Sequence, residues 1–163
     1  MGPFSKFAIR DGLILSLTFL GWISLLPISQ GAGLMAEYIG VLLGVMAAIC
    51  SWVLHEWGHW LAAKAVRAKL RPTLNVRSIY LFGFEAKENS QIQFLIMALG
   101  GFIATACVLA GVLVFLPGEM LAVKVFRGLL FLQISVIVLL EIPGFIFGLV
   151  AYGRLPSVNV LEG

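Results

Sequence analysis

The sequence predicts an all-α polytopic membrane protein with four transmembrane helices and a short strand-like or re-entrant hairpin between helices 2 and 3. Three observations predict it. Hydrophobic residues make up 61% of the 163-residue chain and charged residues only 12%, with a mean hydropathy of +1.04; a soluble domain carries about 25% charged residues. The apolar residues gather into four stretches near or above the roughly 20 residues that a helix needs to cross a bilayer. Between the second and third stretches the pattern changes from continuous apolar to strand-like. One membrane-embedded unit over residues 1–163 is expected, with no room for an appended soluble module.

The first stretch runs from Gly12 to Ile28 and is marginal in length. No small-x-small site follows it, so a retained span is expected rather than a cleaved signal. The second, Leu34 to Val66, is longer than a span requires and implies tilt or a projecting end. From Leu70 to Glu88 the chain loses its helical character. Pro72 opens this segment, Thr73-Leu74-Asn75-Val76-Arg77 alternates polar with apolar, and Ser78 to Phe84 is rich in aromatic and branched residues. The third stretch covers Ile92 to Leu116 and the fourth Leu121 to Tyr152. Pro27, Pro117-Gly118 and Pro156 punctuate three boundaries. Inside the fourth, Pro143-Gly144 is expected to break the helix locally, freeing backbone groups that must lie against protein or water.

Charge sets an orientation. With a cytoplasmic N-terminus, Lys6, Arg10, Lys64, Arg67, Lys69, Arg71, Arg77, Lys87 and Arg154 fall inside, and only Lys124 and Arg127 of the 11 basic residues fall outside. That is a strong positive-inside bias, so both termini are expected in the cytoplasm, in a bacterial inner membrane. The lipid bilayer is the expected surroundings. A net charge of +3, scattered around span ends, is no nucleic-acid signal. Cys50 and Cys107 lie in separate apolar stretches without CxxC spacing and are expected to pack as small apolar residues.

The chemistry concentrates in Val53-Leu54-His55-Glu56-Trp57-Gly58-His59-Trp60, an HExxH run inside the second stretch that holds both of the chain's 2 histidines. Four residues of α-helix turn about 400°, so both imidazoles project from one face, one turn apart. Two neutral imidazoles at that spacing can hold a zinc ion, and Glu56, roughly 100° round the helix, can reach a water on it. Zinc requires a third protein ligand. Of the carboxylates other than Glu56, Glu141 alone lies deep in a span, at a depth comparable to the histidines, where a cation is its natural partner. Glu141 is therefore the expected third ligand, with Glu162 in reserve. Glu56 is the expected catalytic residue, and His55, His59 and Glu141 the metal ligands.

These residues resemble the site-2 protease family of intramembrane zinc metalloproteases. The resemblance rests on the HExxH helix, the downstream Ala62-Ala63-Lys64-Ala65, the strand-like segment from Leu70 to Phe84 and the two further spans. It implies cleavage of a substrate's transmembrane segment, with His55 and His59 as zinc ligands and Glu56 as general base. The family's third ligand is an aspartate in Asn-x-x-Pro…Leu-Asp-Gly; Leu140-Glu141-Ile142-Pro143 and Leu161-Glu162-Gly163 are this chain's counterparts. Its Gly-Pro-x-x-Asn is matched by Gly100-Gly101-Phe102-Ile103-Ala104, without the proline or the asparagine. The expected partner is thus a membrane-protein substrate. A degenerate family member that binds or assembles membrane partners, and a structural metal-binding subunit of a membrane complex, are the alternative classes.

Overall fold

The computed structural model describes residues 3–152. Helix α1 spans Pro3–Ser29, α2 Leu34–Ala65, α3 Gln91–Phe115 and α4 Leu121–Val136. The last helix continues through one wide turn, Ile137–Glu141, into α5, Ile142–Val150. Between α2 and α3 two three-residue strands, β1 (Leu70–Pro72) and β2 (Phe82–Phe84), pair antiparallel with Leu70 opposite Phe84 and Pro72 opposite Phe82. Four helical segments, counting Leu121–Val150 as one, are long and apolar enough to cross a membrane. Four such helices are compatible with a multi-pass membrane protein.

Helix α2 is the axis of the bundle, packed by α1, α3 and α4. Its 32 residues rise about 48 Å, well over the roughly 30 Å of a hydrocarbon core. Small residues let α3 approach it closely. A β-carbon at Gly58 would meet the Gly100 carbonyl and Ala104, and one at Gly100 would meet Ala62 and the Gly58 carbonyl. Backbones this near one another replace the hydrophobic drive that apolar surroundings remove. A second seam forms where Ala47 of α2, Val112 of α3 and Phe126 and Leu130 of α4 bury together. Elsewhere the helices turn apolar side chains outward, as Leu13, Leu17, Phe19 and Leu20 do along α1. An apolar groove of about 630 Å³ between α1, α2 and α4 contains none of the histidines or glutamates.

Each junction has its own local chemistry. Helix α2 ends with Arg67 in the left-handed region at φ 55; the Ala68 amide donates to the Ala63 carbonyl and the Arg67 amide to that of Lys64, the paired closure of a Schellman motif. Helix α3 begins with a capping box, in which Ser90 Oγ accepts from the Gln93 amide while Gln93 Oε1 accepts from the Ser90 amide. The same Gln93 donates through Nε2 to the Val66 carbonyl at 2.9 Å, tying the start of α3 to the end of α2.

Three boundaries differ from the sequence expectation. Helix α1 begins at Pro3 rather than Gly12 and takes in Lys6, Arg10 and Asp11, of which Arg10 and Asp11 find partners within the fold. Pro27 lies inside its last turn instead of ending it. The strands are Leu70–Pro72 and Phe82–Phe84, so Thr73–Arg77 is loop and not strand. There Asn75 turns the chain, its Oδ1 accepting from the Arg77 amide at 2.9 Å, which draws that backbone into a local turn instead of a ladder. Pro143-Gly144 widens the last helix rather than breaking it. The Ile142 amide reaches back five residues to Ile137, and that wide turn leaves space for a ring that would otherwise strike the carbonyl four residues earlier. Arg154, Pro156 and Glu162 lie outside the described residues.

Candidate metal centre

Helices α2, α3 and α4 deliver the site. His55 and His59 project from α2 toward α3, and Glu141 closes the wide turn after α4. His55 Nε2 stands 3.0 Å from His59 Nε2 and 3.2 Å from Glu141 Oε2. One ligand atom from each of the three residues falls within 4.8 Å of the other two, so the group could hold a metal ion. The sequence-predicted trio therefore converges in space.

The ring protons decide what that convergence means. His59 Nδ1 lies 2.9 Å from the Met97 carbonyl oxygen. His55 Nδ1 lies 3.0 Å from the Gly101 carbonyl oxygen and 2.9 Å from Thr105 Oγ1. A carbonyl only accepts, so both Nδ1 atoms carry hydrogen and donate to α3. In neutral rings both Nε2 atoms then present lone pairs to one another across 3.0 Å, with a carboxylate beside them. One shared proton would hold one pair of these three groups, whereas a cation holds all three. Zinc–nitrogen bonds of about 2.0–2.1 Å at the tetrahedral angle put two nitrogens about 3.3 Å apart. The donor set and its spacing fit that ion, and ligating histidines characteristically give their other N–H to a carbonyl or carboxylate.

Burial sharpens the argument. His55 is 0% exposed, and Glu141 keeps a 27% exposed side chain. The cluster opens through Glu141 and His59 into a cleft of about 290 Å³. Glu56 lines the same cleft, as do Phe82 and Phe84 from one face of β2. Phe102 and Phe145 stand over the opposite side, their ring centres 6.0 Å apart, with Phe102 6.1 Å from the His59 ring. Glu56 lines the cleft beside His59 and Glu141 without joining the trio.

Sequence reasoning did not single out Thr105, the carbonyls of Met97 and Gly101, or Arg10 with Asp11. Thr105 had a signal: a polar side chain in the apolar third stretch, one turn beyond Gly101. Gly101 matters because any β-carbon there would fall on the His59 imidazole. The cysteines are free: Cys50 is half-buried, its Sγ 3.2 Å from Thr18 Oγ1, while Cys107 is exposed on α3 rather than packed in the core. Comparisons with protein-family models, curated proteins and solved structures find no match.

Proposed function

We propose that this protein is an intramembrane zinc metalloprotease, of the kind the site-2 protease resemblance implies, acting on the transmembrane segment of another membrane protein. One observation carries the reading. Two histidine Nε2 atoms and a glutamate oxygen converge, with both Nδ1 protons committed to α3, beside a fourth residue, Glu56, that shares their cleft but is no ligand. A structural metal site closes its coordination with protein, while a hydrolytic one keeps a position open next to a base.

His55, His59 and Glu141 would hold zinc, which would supply Lewis acidity and activate water near neutral pH. Glu56 takes the proton of the attacking water and returns it to the nitrogen of the leaving amine. A helical substrate hides its carbonyls in its own hydrogen bonds, so the scissile stretch must be extended before attack. Among the described residues β2 pairs only with β1, leaving it a free edge for main-chain bonding to an extended peptide. The rings of Phe84, Phe94, Phe102 and Phe145 wall the cleft with apolar surface, matching a peptide drawn from a membrane span. The charge asymmetry of the chain supports an orientation with this end of the bundle at the cytoplasmic face and both termini inside.

The test is metal analysis joined to cleavage of single-span substrates. About one zinc per chain is expected, lost on replacing His55 or His59. Glu56→Gln should keep zinc and lower cleavage by about 10²–10⁴-fold. Glu141→Gln should weaken both, since an amide is the poorer ligand. Stoichiometric zinc in the His55→Ala, His59→Ala double variant overturns the site. A Glu56→Gln variant that supports every cellular role of the wild type makes the protein a binding or assembly factor instead.

A further inference from the structure

A hydrogen-bonded node outside the metal cluster ties α1 to the loop between the strands. Arg10 Nη1 donates to the Val76 carbonyl at 2.6 Å and to the Ser78 carbonyl at 2.8 Å. Its Nε donates to Asp11 Oδ1 at 2.6 Å, and its guanidinium stands 4.9 Å from the centre of the Phe7 ring. Asp11, only 2% exposed, accepts in turn from Trp57 Nε1 at 2.8 Å. Trp57 directly follows Glu56 on α2. Three parts of the chain thus meet at a single ion pair.

Behind this node lies a second cavity, of about 330 Å³, walled by Arg10, Asp11, Trp52, Val53 and Ser78. Glu56 lines it too, as it lines the metal-side cleft. The carboxylate therefore stands in the partition between two cavities. The loop supplies the rest of that partition. Leu81, 1% exposed, is buried in that loop, its carbonyl accepting from the Thr73 amide at 3.1 Å. That loop has only a two-strand anchor at its base. A guanidinium fork reaches a carboxylate from Nε and two carbonyls from Nη1 in one fixed geometry, a spread that the three donors on the single nitrogen of a lysine do not match.

We propose that Arg10 is a positioning residue of the site: it straps the Val76–Ser78 backbone to α1, holding the loop in place beside Glu56 and keeping the two cavities apart. The role in catalysis rests on Glu56 being the base. With the strap released, the loop lifts and the two cavities that meet at Glu56 join.

Hydrogen exchange on the full chain in detergent, for wild type, Arg10→Gln and Arg10→Lys, tests the strap without needing activity. Amides of residues 76–81 should exchange about tenfold faster or more in both variants, as loss of charge-assisted hydrogen bonds implies, while α2 and α3 stay protected and zinc is retained. On a single-span peptide that the wild type cleaves, kcat should fall in both with KM little changed. A purely electrostatic partnership with Asp11 predicts the reverse for lysine, which keeps the charge. Unchanged protection of 76–81 in Arg10→Gln, or full rescue by Arg10→Lys, overturns the proposal. If the wild type cleaves no peptide, the protease reading fails while the exchange result still decides the strap.

Discussion

At the scale of single residues, the two histidines differ from ordinary buried ones in where their protons go. Each spends its Nδ1–H on α3, so the pair is oriented before any ligand arrives. Thr105 shares the His55 proton with the Gly101 carbonyl. Thr105→Val keeps the shape and removes that oxygen, so metal affinity should fall about tenfold, the low end for such supporting groups because Gly101 still accepts; competition with a chelator measures it. Gly101→Ala should do more. Its β-carbon would occupy the space of the His59 ring, so the ring must leave its carbonyl and metal retention should fail. Gly111→Ala on the same helix is the control, since nothing lies within 4 Å of the added atom. Metal content equal in the two glycine variants would show that the close approach is not what orients His59. The trio of His55, His59 and Glu141 that converges in space was legible in the sequence because ionisable residues in apolar stretches are rare and expensive. Their supports were not, because which face of α3 meets α2 depends on how closely the backbones approach, and that is set by glycines whose signal is the lack of a side chain.

At the scale of elements, the long helices could be read because apolar length alone specifies them, while their ends are set by individual partners. The strand-like segment shows the limit. Alternation over Thr73–Arg77 resembled a strand, but Asn75 bonded its own neighbourhood and the pairing moved outward to Leu70–Pro72. The turn Ile137–Glu141 was likewise hidden. A proline and glycine in the sequence announce a disturbance, not whether the helix will break or widen. Widening keeps Glu141 on a continuous backbone, where it meets His55 at 3.2 Å. Helix α2 ends under strain of its own: Arg67 takes φ 55, a conformation that costs a residue with a β-carbon roughly 1–2 kcal/mol. Glycine fits the position without that cost, offset in part by its greater freedom when unfolded. Arg67→Gly should therefore raise stability by about 0.5–1 kcal/mol, seen as a higher midpoint of thermal unfolding in detergent with zinc content unchanged. A lower midpoint would mean that the exposed arginine makes contacts of greater worth than the strain.

At the scale of the whole molecule, chemistry and charge gather at one end. The start of α1 bonds the hairpin loop, α2 and α3 meet through Gln93, and Tyr152 after α5 donates to the Ala86 and Asn89 carbonyls. That end holds Lys6, Arg10, Lys64, Arg67, Lys69, Arg71, Arg77 and Lys87 among the described residues. The far end, where Gln30 Nε2 lies 3.1 Å from Met120 Sδ, has Lys124 and Arg127, and Arg127 is engaged, donating to the Val112 and Leu116 carbonyls that close α3. An arginine occupied with a helix terminus still counts as charge that resists crossing, so the asymmetry is smaller than a tally of free cations would give but keeps its sign. The hairpin, the cleft and the Arg10 node should therefore face the cytoplasm, and the loop between α3 and α4 the opposite side. Single cysteines at Leu74, 84% exposed on the hairpin loop, and at Glu119 would report this in a background with Cys50 and Cys107 replaced by serine. In intact cells a membrane-impermeant maleimide should label Glu119→Cys directly and Leu74→Cys only after permeabilisation. The opposite pattern would place the metal cluster near the outer face, and a protease there would have to draw both its water and its substrate's unwound segment from outside the cell.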